Sequence, residues 1–172
     1  VTLLGNLMTD SQATTQPIFS GSGGTFVFGG SVPHTISMLQ VTTLLSSAVT
    51  VVDNPAGVIL GGGDVPWAYT FGGVLNLVSG NITTGVHTLA IGSAGSVVRA
   101  DGHVVGFLRK AVGTGTSVAR TFEVGTEDDY APVSVAFASV STAGNLTATT
   151  AAGDHAQIAA SLLDSTRTAN RT

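Results

Sequence analysis

The sequence predicts an all-β chain: a β-solenoid followed by an antiparallel β-sandwich, with little or no helix. Three observations predict it. From Gly72 to Val98, GGVLNLVSGNITTGVHTLAIGSAGSVV, short apolar pieces alternate in and out (Leu75 and Leu77 around Asn76, Leu89 and Ile91 around Ala90). That is the period of a strand with one buried face, and Gly, Asn, Ser and Thr turns interrupt it too often for a helix. Second, such strands and turns recur at roughly 20 residues per coil, within the range of solenoid repeats. Third, the chain changes texture near Arg99. Before it lie Asp10, Asp53 and Asp64 and no basic residue; all six basic residues (Arg99, Arg109, Lys110, Arg120, Arg167, Arg171) lie from there on. The expected organisation is therefore a solenoid over residues 1–98 and a sandwich over 99–172.

Taken in order, Val1 to Met8 is apolar and strand-like, and Thr9 to Gly24 is a polar connection around Pro17. Gly24 to Gly30 is a strand with glycine on both sides, and a further strand ends the segment Ser31 to Leu39 after Pro33. Val41 to Val52 is rich in β-branched residues, and Asn54-Pro55 then forces a turn. Gly57 to Leu60 is a short strand closed by Gly61, Gly62 and Gly63. Val65 to Phe71 carries Trp67 and Tyr69. Beyond Arg99, His103 to Lys110 is a strand with a basic end. Ser117 to Val124, Ala131 to Val140 and Asn145 to Thr150 alternate as sandwich strands do. Asp154 to Leu163 is the one helix candidate, with Asp154 as N-cap.

Composition narrows the function. Hydrophobic residues make up 43 % of the 172, as in a folded protein, but charged residues only 9 %, so Thr, Ser, Asn and Gly must supply the polar surface. Six basic residues against a net charge of −4 are too few to neutralise a phosphate backbone, which argues against nucleic-acid binding. With no cysteine there is neither a disulfide framework nor a thiolate metal site. No apolar run reaches membrane-spanning length. Val1 is not an initiator Met, and no signal peptide is present, so the sequence reads as a mature product or a fragment.

Six pieces in order, GTFVFGGSVPHTIS, NPAGVILGG, GGVLNLVSGNITTGVHTLAIGSAGSV, GHVVGFLRK, TFEVGTEDDYAPVSV and AGDHAQI…TRTANR, resemble modules of large secreted bacterial cell-surface proteins associated with type IX secretion. In that family a solenoid of L-x-L-x-S-G-x-I-x-T-G coils runs into a sandwich opened by a G-x-V-x-G-x-L-R-K strand. The resemblance spans nearly the whole chain, most strongly Asn54 to Ala156. Its motifs are structural, so it implies fold and an extracellular or cell-surface location rather than chemistry. The family continues after the Asn-Arg pair with another sandwich strand, whereas this chain stops at Thr172, so the sandwich is expected to lack a strand.

Catalytic signatures are not found. His34, His87, His103 and His155 have no ligand spacing, no G-x-S-x-G elbow is present, and the glycine clusters complete no phosphate-binding fingerprint. A carboxylate pair for glycoside hydrolysis would need the distant Asp53 and Asp64. The chain is therefore expected not to be an enzyme, and no cofactor is expected beyond calcium. Glu127, Asp128 and Asp129 are the calcium candidates, with a solvated acidic turn as the alternative. Trp67 and Tyr69, on one side of a strand, suggest either a subunit contact or a platform that stacks on surface glycans. The sequons at Asn81, Asn145 and Asn170 are those a Thr-rich chain carries by chance.

The expected role is a structural subunit that self-assembles head-to-tail, as a homopolymer, into a filament or surface layer, because few charges guard the sheet edges. An adhesin or carbohydrate-binding module is the alternative. One route to joining is donor-strand addition: Val1, Leu3 and Leu7 of one copy would fill the incomplete sandwich of the next. The competing use of the same segment is as the first cap of its own solenoid.

Overall fold

A computed structural model describes residues 1–9, 23–38, 43–45 and 49–153. These residues form sixteen strands and no helix; the helix candidate Asp154 to Leu163 lies outside them. In chain order the strands are β1 (Thr2–Leu3), β2 (Leu7–Thr9), β3 (Thr25–Gly29), β4 (His34–Met38), β5 (Thr43–Leu45), β6 (Val49–Asp53), β7 (Val58–Gly61) and β8 (Ala68–Phe71). There follow β9 (Val74–Ser79), β10 (Ile82–Ile91), β11 (Ser96–Arg99), β12 (Val104–Val112), β13 (Gly115–Phe122), β14 (Val124–Gly125), β15 (Val133–Val140) and β16 (Gly144–Ala148).

The first strand of each coil stacks on that of the next, giving a parallel sheet in the order β1-β3-β6-β9-β11. Its register runs Thr2, Val27, Val51, Asn76, Val98, intervals of 25, 24, 25 and 22 residues, so one coil is slightly longer than the sequence spacing suggests. The second sheet has the path β14-β12-β10-β7-β4-β2, with β5 and β8 joined beside it. In one coil β7 and β8 are separate; in the next they merge into β10, whose register shifts between Thr83 and Thr88 around Gly85. Together these stacked coils are a β-solenoid.

Strand alternation sends every second side chain inward, and stacking then sets like positions above one another. Phe26, Thr50, Leu75 and Val97 form one interior column; Leu3, Phe28, Val52, Leu77 and Arg99 form a second. On the other sheet the columns are His34, Val58, Ile82, Val104, Val124, then Tyr69, Leu89, Leu108, then Phe71, Ile91, Lys110. The apolar members from Phe26 to Val124 belong to one continuous core. Interior Thr50 is the polar exception in the first column, and its hydroxyl has no hydrogen-bond partner.

The corner between the two sheets is tied by asparagine. Asn6 Oδ1 accepts from the Thr35 amide of the next coil (2.8 Å), Asn54 donates back to the Val32 carbonyl (2.7 Å), and Asn81 Oδ1 accepts from the His103 amide (3.1 Å). These bonds satisfy backbone groups that leave the ladder where the chain turns. Such close stacking demands glycine at Gly80, which has φ +74° and where any Cβ would collide with the Asn54 carbonyl of the coil below.

Parallel pairing does not stop at Arg99. β12 pairs in parallel with β10 and β14 with β12, so the change in charge falls inside the solenoid. The antiparallel part is β13 with β15 as a two-stranded sheet, and β16 laid antiparallel on β12. Val135 and Ala148 of these strands pack against the solenoid core, so the two parts are continuous.

Because Leu77 is fully buried in the middle of a column, Leu77→Ala is expected to lower the unfolding free energy in urea by about 2–5 kcal/mol. Val98→Ala, half exposed at an outward position of the same sheet, is expected to change it by less than about 1 kcal/mol.

Candidate functional site: the two ends of the coil

A stack of coils satisfies its backbone groups everywhere except at its first and last rungs, so the ends are where this fold has something to offer. The two ends are chemically unlike.

At the N-terminal end, β1 has β3 and β2 has β4 as partners on one side, with no strand on the other among the described residues. Leu3 and Leu7 are half-buried and pack down on the core. Val1 (86 % exposed), Leu4 (71 %) and Met8 (76 %) are left in solvent. The segment expected to act as a donor strand thus serves as the first rung of its own solenoid, the competing use. It brings Leu3 and Leu7 to the core but leaves Val1 outside.

At the other end two of the interior columns reach a charged residue in one coil. Arg99 occupies the position held by Phe28, Val52 and Leu77 in the coils below. Its guanidinium lies 3.7 Å from the centre of the Tyr130 ring and donates to the Asp101 carbonyl (2.6 Å), while its Nε is buried without a partner. Cation–π contact with the ring offsets part of the cost of holding the charge there. Lys110 likewise continues the column Phe71, Ile91. Its ammonium donates to Glu123 Oε2 (2.5 Å) and to the Thr121 carbonyl (2.7 Å), and both members of the pair are about nine-tenths buried. This is the one ion pair among the described residues. A buried pair of this kind is seldom a net source of stability, since well-packed apolar side chains would do as well or better. The outer side of that rung is taken by β14 and by β16, whose Leu146 stands opposite Lys110, so no further parallel coil follows it there.

The acidic turn completes this end. His103 Nε2 donates to the Thr126 carbonyl (2.7 Å), and Asn81 Nδ2 donates to the Glu127 carbonyl (3.2 Å). The Glu127, Asp128 and Asp129 side chains are exposed, and among the described residues no three His, Asp or Glu side chains are gathered so as to hold a metal ion. The turn is closed by its own backbone, with the Thr126 amide donating to the Asp129 carbonyl (2.9 Å).

Trp67 and Tyr69 do not make an exposed platform. Trp67 is half-buried against the core. Tyr69 is buried, its hydroxyl donating to the Gly61 carbonyl, so it is a core residue and not a surface contact. Asp53 accepts from the Ser79 hydroxyl (2.8 Å) of the neighbouring coil, and Asp64 is exposed in the loop between β7 and β8. His34 is buried beside Gly30 with neither ring nitrogen bonded; His155 lies outside the described residues. No helix among the described residues is long and apolar enough to cross a membrane.

The residues that sequence reasoning passed over are Arg99, Lys110, Glu123 and Tyr130. A signal was present: in the strand ending GFLRK, the two-residue period sets Lys110 in phase with Leu108 and Val112, which face inward. The sequence matches no known family model, and no curated protein or solved structure matches it.

His87 yields a pH prediction. Its Nδ1 accepts from the Trp67 amide (3.2 Å) and its ring stands edge-on to Tyr69, which requires the neutral imidazole. Burial lowers its pKa below the ordinary 6.5. Between that lowered value and 6.5 the unfolded chain binds the proton more readily than the folded one, so stability rises with pH across this window. The melting temperature is expected to hold above pH 6.5 and to fall as pH drops below it. His87→Asn, which offers an acceptor in place of Nδ1 but does not titrate, is expected to flatten that slope in thermal scans.

Proposed function

We propose that this chain is a non-enzymatic structural subunit of the bacterial cell surface or its exterior, which associates with a second copy of itself through its N-terminal rung. The observation that carries the reading is the inequality of the ends: among the described residues, an apolar first rung with unpaired strand edges, and a far end where Arg99 sits on the edge strand β11 and β14 and β16 cover β12. Two such first rungs are self-complementary. Strand edges from two copies related by a two-fold axis meet antiparallel, pair their free amides and carbonyls, and cover Leu4 and Met8. The resemblance to secreted surface modules supports the location, and a stack of coils suits a spacer or scaffold.

Head-to-tail growth into a filament is the competing mode, and it would have to seat the apolar rung on charge. Sedimentation velocity over a concentration series separates the two. A discrete paired species is expected, lost in a Leu4→Lys, Met8→Lys variant that keeps its melting temperature. Open-ended growth, visible as filaments by electron microscopy, would favour head-to-tail joining. A monomer at every concentration would remove self-association altogether.

A further inference from the structure

Beside the last parallel coil lies an open pocket of about 380 Å³, between the turn that joins β10 to β11 and the strands β12 and β13. Three charged side chains line it: Lys110, Glu123 and Arg120, joined by the hydroxyl residues Ser93, Ser96 and Thr121. We infer that this pocket binds a single acidic sugar residue, a uronic acid of a surface or matrix polysaccharide.

Charge sets the class of ligand. Lys110 and Glu123 neutralise each other across 2.5 Å, while Arg120 has no carboxylate in ion-pair reach among the described residues. Arg120 is held by its Nε bond to the Ala111 carbonyl (3.1 Å) and its Nη1 bond to the Ala119 carbonyl (2.8 Å). These bonds fix the guanidinium plane, so a planar carboxylate can meet it edge to edge at little entropic cost. The lining therefore carries one net positive charge and suits a monoanion. A phosphate dianion would instead face the carboxylate of Glu123.

The remaining groups recognise hydroxyls. A carboxylate only accepts and an ammonium only donates, so the Lys110–Glu123 pair offers both roles in one rigid unit to neighbouring sugar hydroxyls, with Ser93, Ser96 and Thr121 beside it. The pocket volume falls in the range of small-ligand sites and is ample for one sugar ring. The pair thus has a use beyond closing the stack: it holds a donor and an acceptor in place before the ligand arrives, which lowers the cost of binding. This inference stands apart from pairing at the N-terminal rung.

Isothermal titration and saturation-transfer NMR of the full chain with galacturonate, galactose, acetate and inorganic phosphate test it. Galacturonate is expected to bind at least about tenfold more tightly than galactose or acetate, and to weaken with added salt. Arg120→Gln is expected to abolish that preference at unchanged melting temperature. Arg120→Lys, which keeps the charge but loses the fork, is expected to retain weak galacturonate binding. No galacturonate binding, equal binding of acetate or phosphate, or binding that survives Arg120→Gln would each overturn the assignment. If Arg120→Gln does not fold, the lysine variant decides: undiminished affinity there would overturn it.

Discussion

Parallel stacking of coils is the constraint on which the rest of this structure depends. Each coil borrows the hydrogen bonds of its neighbours, and each interior position must suit the side chains directly above and below. Phe28 on Val52 on Leu77 and Val58 on Ile82 on Val104 show the rule obeyed. Small corner residues follow from it, because the chain of one coil passes within contact of the next: Gly80 lies against the Asn54 carbonyl and Gly102 against that of Gly80. The asparagines at the same corner supply the amide bonds that the turn takes away from the ladder.

The same rule explains how the stack ends. A column of apolar side chains can be extended without limit unless something makes the next layer unfavourable. Here Arg99 and Lys110 take interior positions in a single coil, and on the edge strand β11 the inward-pointing charge of Arg99 is one of the devices by which natural sheets protect an edge. Glu123 and Tyr130 then satisfy those charges from the chain that follows. The antiparallel strands begin at this point because the parallel arrangement has been closed on one side: the first sheet has β11 as its last strand, while the second continues through β12 to β14 and β16. Among the described residues no comparable device stands on β1 and β2, where Leu4 and Met8 face solvent.

Much of the fold was legible because the solenoid is local in sequence. The alternation in LNLVSGNITTG, the glycine and asparagine corners and the spacing of coils all report structure that neighbouring residues determine. The shift in charge at Arg99 was legible too, but its meaning was not. It reads as a change of domain, whereas β12 and β14 carry the parallel ladder past it, and the charges are the closing rung itself. Tyr69 shows the other limit. Strand period sets Trp67 and Tyr69 on one side, but only the stacked coils decide that this side is the core, through the column Tyr69, Leu89, Leu108. The pairing of Lys110 with Glu123 depends on a return of the chain that no local pattern specifies.

The claim that interior charge ends the stack can be tested by removing it. In a variant carrying Arg99→Leu, Lys110→Ile and Glu123→Val, every column would finish in an apolar residue and no buried charge would be stranded. Sedimentation velocity is predicted to show this variant folded and associating further than the parent chain at equal concentration, since the edge of β11 would then accept another strand without stranding Arg99. A folded variant that sediments as the parent does would contradict the account.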